Sequence, residues 1–121
     1  MIERIEEAPA GVLALKAVGE VTLADYTRVV KPALDQAMAG RGKIRVLLLL
    51  GAEFSGYDKN VKREDLGIGL GFLRKIERCA VVTDRQGIGD MMRRFGWMLG
   101  RRLKHFHVAD LPAAMDWAAG R

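Results

Sequence analysis

Residues 43 to 54 read KIRVLLLLGAEF, and this stretch constrains the fold more than any other. Five apolar residues in succession, Val46 to Leu50, run into Gly51. A strand without polar alternation has to be covered on both faces, which places it at the centre of an α/β sheet. In such sheets the segment after a central strand is where ligands and partners meet the protein. Gly51 to Asn60, GAEFSGYDKN, is therefore the first place to look for function.

The remaining segments fit around that strand. Ile2 to Glu6 alternates weakly and reads as an edge strand. Pro9-Ala10-Gly11 is a turn, and Val12 to Val21 reads as a second strand, hairpin-linked to the first. Thr22 caps a helix with Asp25 three residues on, near the positive end of its dipole. Tyr26, Val29, Val30, Leu34, Ala37 and Met38 share one face of that helix. Pro32 lies inside it and is expected to kink or weaken it, and Gly40 and Gly42 to end it. VKREDLGIGLGFLRKIER, residues 61–78, has a strand-like alternation of apolar residues and glycines. Gly67 and Gly71 nevertheless share a helix face, and Glu64 and Asp65 suit a helix start, so the segment reads as a helix. Arg78 to Thr83 is a buried strand, Asp84 to Leu99 a helix, and Leu103 to Val108 the last strand. Asp110 opens a final helix in which Leu111, Met115 and Trp117 or Ala118 meet the core, with Pro112 tolerated in its first turn. The sum is β-β-α-β-α-β-α-β-α in one domain, with the later strands mostly parallel and helices on both faces.

Composition sets outer limits. The chain has 121 residues and is half apolar, enough for a core without metals or disulfides. The single cysteine, Cys79, precedes Ala80-Val81-Val82 and reads as a buried strand thiol. One unpaired cysteine fits a reducing cytoplasm. The opening MIERIEEAP is charged from Glu3 onward and does not read as a secretory leader, and no apolar run approaches the ~20 residues that span a bilayer. The net charge of +5 is uneven. Residues 85–107 hold Arg85, Arg93, Arg94, Arg101, Arg102 and Lys104 against Asp90 alone. Such a basic stretch is either a solvated face or a surface for an acidic partner, anionic lipid or nucleic acid.

The chemical inventory is thin. No dinucleotide fingerprint, P-loop, HExxH, CxxC or GxSxG occurs. His105 and His107, two apart on a strand, are the only histidines. Asp84 or Asp110 would have to supply a third ligand for zinc, and the plainer reading is two rim histidines flanking Phe106. No cofactor is expected. Ser55 has no neighbouring histidine to activate it. An enzyme reading would need Glu53, Asp58 and one histidine to converge. Phe54 and Tyr57 either plug the end of the core or line a pocket. In MMRRFGWMLGRR, Trp97 falls opposite Phe95 and Met91 on a helical wheel, beside Arg93 and Arg94, with Arg101 on the same side if the helix continues. A tryptophan among arginines points to an interface for protein, anionic lipid or ligand; the alternative is that Gly96 ends the helix and Trp97 folds back into the core. Nucleic acid is disfavoured, because the patch is small and no known binding module accompanies it.

Several phrases carry a family resemblance along essentially the whole chain. VGEVTLADYTRVVKPALDQAMAGRGKIRVLLLLG, FSGYD, LGIGLGFLRKIERCAVVTD and FGWMLGRRLKHFHVADLPAAMDWAA resemble the bacterial SpoIIAA-like proteins. That group is related to STAS domains and classed with SEC14-type (CRAL-TRIO) lipid-binding domains. The resemblance implies a mixed five-stranded sheet with its first strand at an edge, about four helices, and no established enzyme activity. In the sporulation anti-anti-sigma factors of the wider group, a serine after the central strand, at the start of the next helix, is phosphorylated and controls a kinase partner. Ser55, the only serine of this chain, falls in that region, whereas the expected helix start near Asn60 to Asp65 carries no hydroxyl. The SEC14 relation implies instead a site for a lipid or other apolar ligand. The leading expectation is a non-enzymatic cytoplasmic STAS-like module acting through protein contacts, including contact with a second copy of itself. The alternative is a small-ligand or lipid-binding module using Phe54, Tyr57 and Trp97.

Overall fold

A computed structural model describes residues 1–25, 28–29, 31–41, 43–57, 75–84 and 100–120. Its centre is a five-stranded sheet in the order β1 (Ile2–Arg4), β2 (Val12–Ala17), β4 (Ile44–Leu50), β6 (Ile76–Thr83), β7 (Leu103–Phe106). β1 runs antiparallel to β2, and every other pairing in this sheet is parallel. The apolar run of β4 occupies the middle, as its lack of polar alternation requires.

The period-two geometry of the strands sorts their side chains onto two faces. On one face Val46 and Leu50 of β4 join Leu13, Leu15, Cys79 and Val81, covered by Ala33, Leu34 and Ala37 of helix α2 (Lys31–Arg41). On the other, Leu47 and Leu49 join Ala14, Ala80 and Val82 beneath Ala114 and Ala118 of helix α3 (Leu111–Ala118). Ala80, Ala114 and Ala118 are fully buried, and the lack of bulk lets α3 lie close to the sheet. Arg45 and Arg78 share this face near the amino ends of β4 and β6. Arg45 donates to the carbonyl of Ala119 at 2.6 Å and Arg78 to that of Trp117 at 2.8 Å. Two guanidinium groups thereby add hydrogen bonds to carbonyls at the end of α3, that of Trp117 accepting from Gly120 N as well, and they meet the negative end of its dipole. Gly120, at φ +83°, ends the helix there; a Cβ on it would sit 3.0 Å from the Arg45 guanidinium.

Cys79 is buried, as its apolar neighbours in sequence imply. Burial pushes its thiol up to about 12. At pH 8 this leaves about 1,000-fold less thiolate than an ordinary thiol has. Native protein should therefore react with a disulfide reagent only through unfolding, while the denatured chain reacts at once; equal rates would show that the thiol is open. The sign for stability follows from the direction of the shift. The unfolded thiol ionises first, so the contribution is complete below about pH 9 and is lost as pH rises toward the folded value.

Four expectations are corrected. The strand expected over Val12 to Val21 breaks at Val18: Gly19 takes φ +64°, a backbone conformation that glycine adopts without the Cβ penalty. The chain then forms β3 (Gly19–Val21), which pairs in parallel with β5 (Phe54–Tyr57) in a separate two-stranded sheet. Of the helix expected after Thr22, α1 (Leu23–Asp25), a helical turn at Arg28 and Val29, and α2 are described, and its expected end at Gly40 is corrected, because α2 continues through Gly40 to Arg41. Thr22 does cap α1: its Oγ1 accepts from Asp25 N at 3.2 Å while Asp25 Oδ2 accepts from Thr22 N at 2.9 Å. That backbone donor holds the Asp25 carboxyl below its ordinary range. β6 begins at Ile76 rather than Arg78, and β7 ends at Phe106, with a 3₁₀ turn over Val108–Asp110. Finally, α2 and α3 are the only described helices longer than a single turn, against about four expected. The helices read over residues 61–78 and 84–99 fall largely outside the described residues. No described helix is long and apolar enough to cross a membrane.

Candidate functional site

The segment after β4 is held in place by its neighbours. Phe54 N donates to Gly51 O at 3.1 Å, closing a turn. Glu53 O accepts from Gly19 N at 2.6 Å, and Glu53 Oε2 pairs with Lys16 Nζ of β2 at 3.2 Å. Phe54 is only 8% exposed and belongs to the core cluster with Leu13, Leu15, Ala17, Val21 and Leu50. Of the two readings for this ring, the structure shows the plug. Ser55 is exposed on β5. It thus sits in a strand, not at a helix start. The backbone of Tyr57 pairs with Val21, and its side chain is outside the described set.

Trp97, Arg93 and Arg94 lie outside the described residues, as does Asp58. Arg101 is exposed in a 3₁₀ turn, Gly100–Arg102, and its neighbour Arg102 donates from Nη1 to Ile76 O at 3.1 Å.

The two histidines come together at the carboxyl end of β7. Their ring centroids are 5.3 Å apart. His105 Nε2 is 2.7 Å from the Thr83 carbonyl, which can only accept, so this nitrogen donates. His107 Nδ1 is 3.2 Å from Asp84 Oδ1, and that oxygen also accepts from Val108 N at 3.1 Å. Asp84 therefore braces the turn that follows β7. Among the described residues no cluster of three metal-ligating side chains is formed. Nor does Glu53 approach the histidines. It leans on β2, and β4 and β6 separate β2 from β7. Three strand spacings amount to roughly 14 Å.

A second tryptophan carries the cation contacts expected of Trp97. The Arg78 guanidinium lies 5.2 Å from the Trp117 ring, with Lys104 Nζ 6.0 Å from that ring and 5.1 Å from Phe106. Phe106 and Trp117 are tilted against each other at 5.9 Å. Stacked cation and ring contacts of this kind are worth about 0.5–1 kcal/mol each at partly exposed sites. The register between β6 and β7 brings them together: Lys104 pairs with Ala80 and Phe106 with Val82, so they share the face of Arg78.

The comparisons agree with this architecture. The SpoIIAA-like family matches residues 12–119. A crystal structure from Shewanella loihica PV-4, an uncharacterized protein of the DUF3478 family with a SpoIIAA-like fold, is similar at a TM-score of 0.72. The two share 28% identity over 97% of this chain and 93% of the other. No curated protein matches the chain.

Proposed function

We propose that this chain, which belongs to the SpoIIAA-like family, acts as a non-enzymatic STAS-like module that works through protein contacts made by the tip Gly51–Ser55. The observation that supports this reading is the way the tip is held. Phe54 anchors it in the core, the β3–β5 pairing and the 2.6 Å bond from Gly19 N to Glu53 O fix its backbone, and Ala52, Glu53 and Ser55 are left exposed. A recognition segment fixed before its partner arrives loses less conformational freedom on binding, which favours affinity. The reading in which Phe54 contacts a lipid in the same segment draws no support from that anchored ring.

Because Cys79 is buried, a single reactive thiol can be introduced at will. Ser55→Cys carrying a photoactivatable crosslinker should give a discrete adduct in cells of its own host. Ala113→Cys, exposed on α3, should not give the same band. An adduct at twice the 13.4 kDa chain mass identifies a second copy; another mass identifies a different protein. Identical adducts at both positions, or none at Ser55, would remove the reading. Light scattering on the purified chain separates a stable dimer from contact made only in the cell.

A further inference from the structure

At the opposite end of the sheet, around the amino ends of β2 and β4, lies a groove of about 300 Å³. Its floor is apolar, formed by Leu13 of β2, Ile44 of β4 and Ala37 of α2. Its rim carries three cations, Arg4 of β1, Lys43 just before β4, and Arg45. They are not equivalent. Arg45 is committed, holding the Ala119 carbonyl and Glu77 Oε1 at 3.1 Å. Glu77 answers that pairing with a carboxyl held below its usual range, first by the Arg45 hydrogen bond. Arg4 and Lys43 are both exposed, and among the described residues neither has an ion-pair partner. The groove therefore presents, above an apolar floor, two positive charges that are held in no close ion pair, Lys43 reaching Glu77 only through its longer-range field.

We infer that this groove is a binding site for a small organic anion with an apolar body, its carboxylate or phosphate held by Arg4 and Lys43 and its apolar part laid over Leu13, Ala37 and Ile44. The size and the charge both argue for this class. A volume of about 300 Å³ is at the small end of ligand clefts, which suits a ring or short branched chain and not a long acyl chain. The cations supply directional, charge-assisted hydrogen bonds to an oxyanion. An apolar floor beneath a cationic rim discriminates at once against a bare inorganic anion, which cannot use the floor, and against a neutral apolar compound, which cannot use the rim. The site goes beyond the protein-contact reading above and does not depend on it, since the tip lies at the other end of the strands.

Titration of ¹⁵N-labelled protein with 1-naphthoate, 1-naphthyl phosphate, 1-naphthalenemethanol and inorganic phosphate tests the inference. Both naphthyl anions should shift the amides of Gly11, Val12 and Lys43, with a Kd on the order of 1 mM for a ligand of this size in an open groove. The stronger of the two identifies carboxylate or phosphate monoester as the preferred head. The double variant Arg4→Ser, Lys43→Ser should weaken binding at least about fivefold, and Lys43→Arg should keep it, because both positions are exposed and the charge is what matters. Equal binding of the neutral alcohol, equal binding of inorganic phosphate, shifts confined to other amides, or no shift at 10-fold the expected Kd would each overturn it.

Discussion

Leu47→Ala should lower the unfolding free energy by about 3–5 kcal/mol, as read from the midpoint of a chemical denaturation curve. Leu47 is 0% exposed at the middle of the central strand, among Ala14, Ala80, Val82 and the two buried alanines of α3. Its neighbours are the reason for placing the cost at the upper end. Alanines have no longer side chain with which to fill the vacated volume, so the cavity stays open and the lost contacts are not recovered. Domains of this size are stable by only about 5–15 kcal/mol, so the variant should be close to unfolding at 37 °C. Leu47→Ile, which conserves volume, should cost less than about 1.5 kcal/mol. A Leu47→Ala loss below about 1 kcal/mol would mean that α3 does not seat on this face as described.

Phe54→Ala should cost about 3–5 kcal/mol as well, with a second consequence that Leu47→Ala lacks. Phe54 is the point at which the segment after β4 enters the core, and it lies one residue from the Glu53 carbonyl that Gly19 donates to. Without the ring, the short β3–β5 sheet loses its anchor while the five-stranded sheet keeps its own. Hydrogen exchange at Gly19 and Phe54 should therefore accelerate by more than the global loss of stability explains, whereas amides of β4 and β6 should track the global loss alone. Phe54→Leu should restore most of the protection, since it keeps an apolar body in the same space. Uniform acceleration across all strands would show that the tip is no separate unit.

The strands of the main sheet could be read from the sequence because their signals are local. Five apolar residues before Gly51 and the run around Cys79 need only their own composition to declare burial on both faces. The β3–β5 pair is different. GEV reads as the tail of the strand before it and FSGY as loop, and what makes them a separate pair of strands is each other, across more than thirty residues. No window along the chain contains that information. At the candidate site, the two readings of Phe54 were both consistent with an aromatic after a central strand. Choosing between them required the surrounding cluster. The Arg78–Trp117–Lys104 contacts depend on the register between β6 and β7 and on the placement of α3. Neither can be had from composition, which points instead to the arginine-rich stretch near Trp97.

The pairing pattern of the main sheet also dictates how the chain can assemble. Among the described strands of this sheet only β1 and β2 are joined by a hairpin; Val12 meets Arg45, and Ile44 meets Ile76, each across about thirty intervening residues. Such closures cost chain entropy before any contact offsets it, which places folding in the millisecond-to-second range typical of non-local sheets. β4 is the strand on which two of these closures converge, so its register has to be set before either flank is stabilised. The burden on Leu47 is therefore kinetic as well as thermodynamic, and its truncation should appear in the refolding limb of a chevron more than in the unfolding limb.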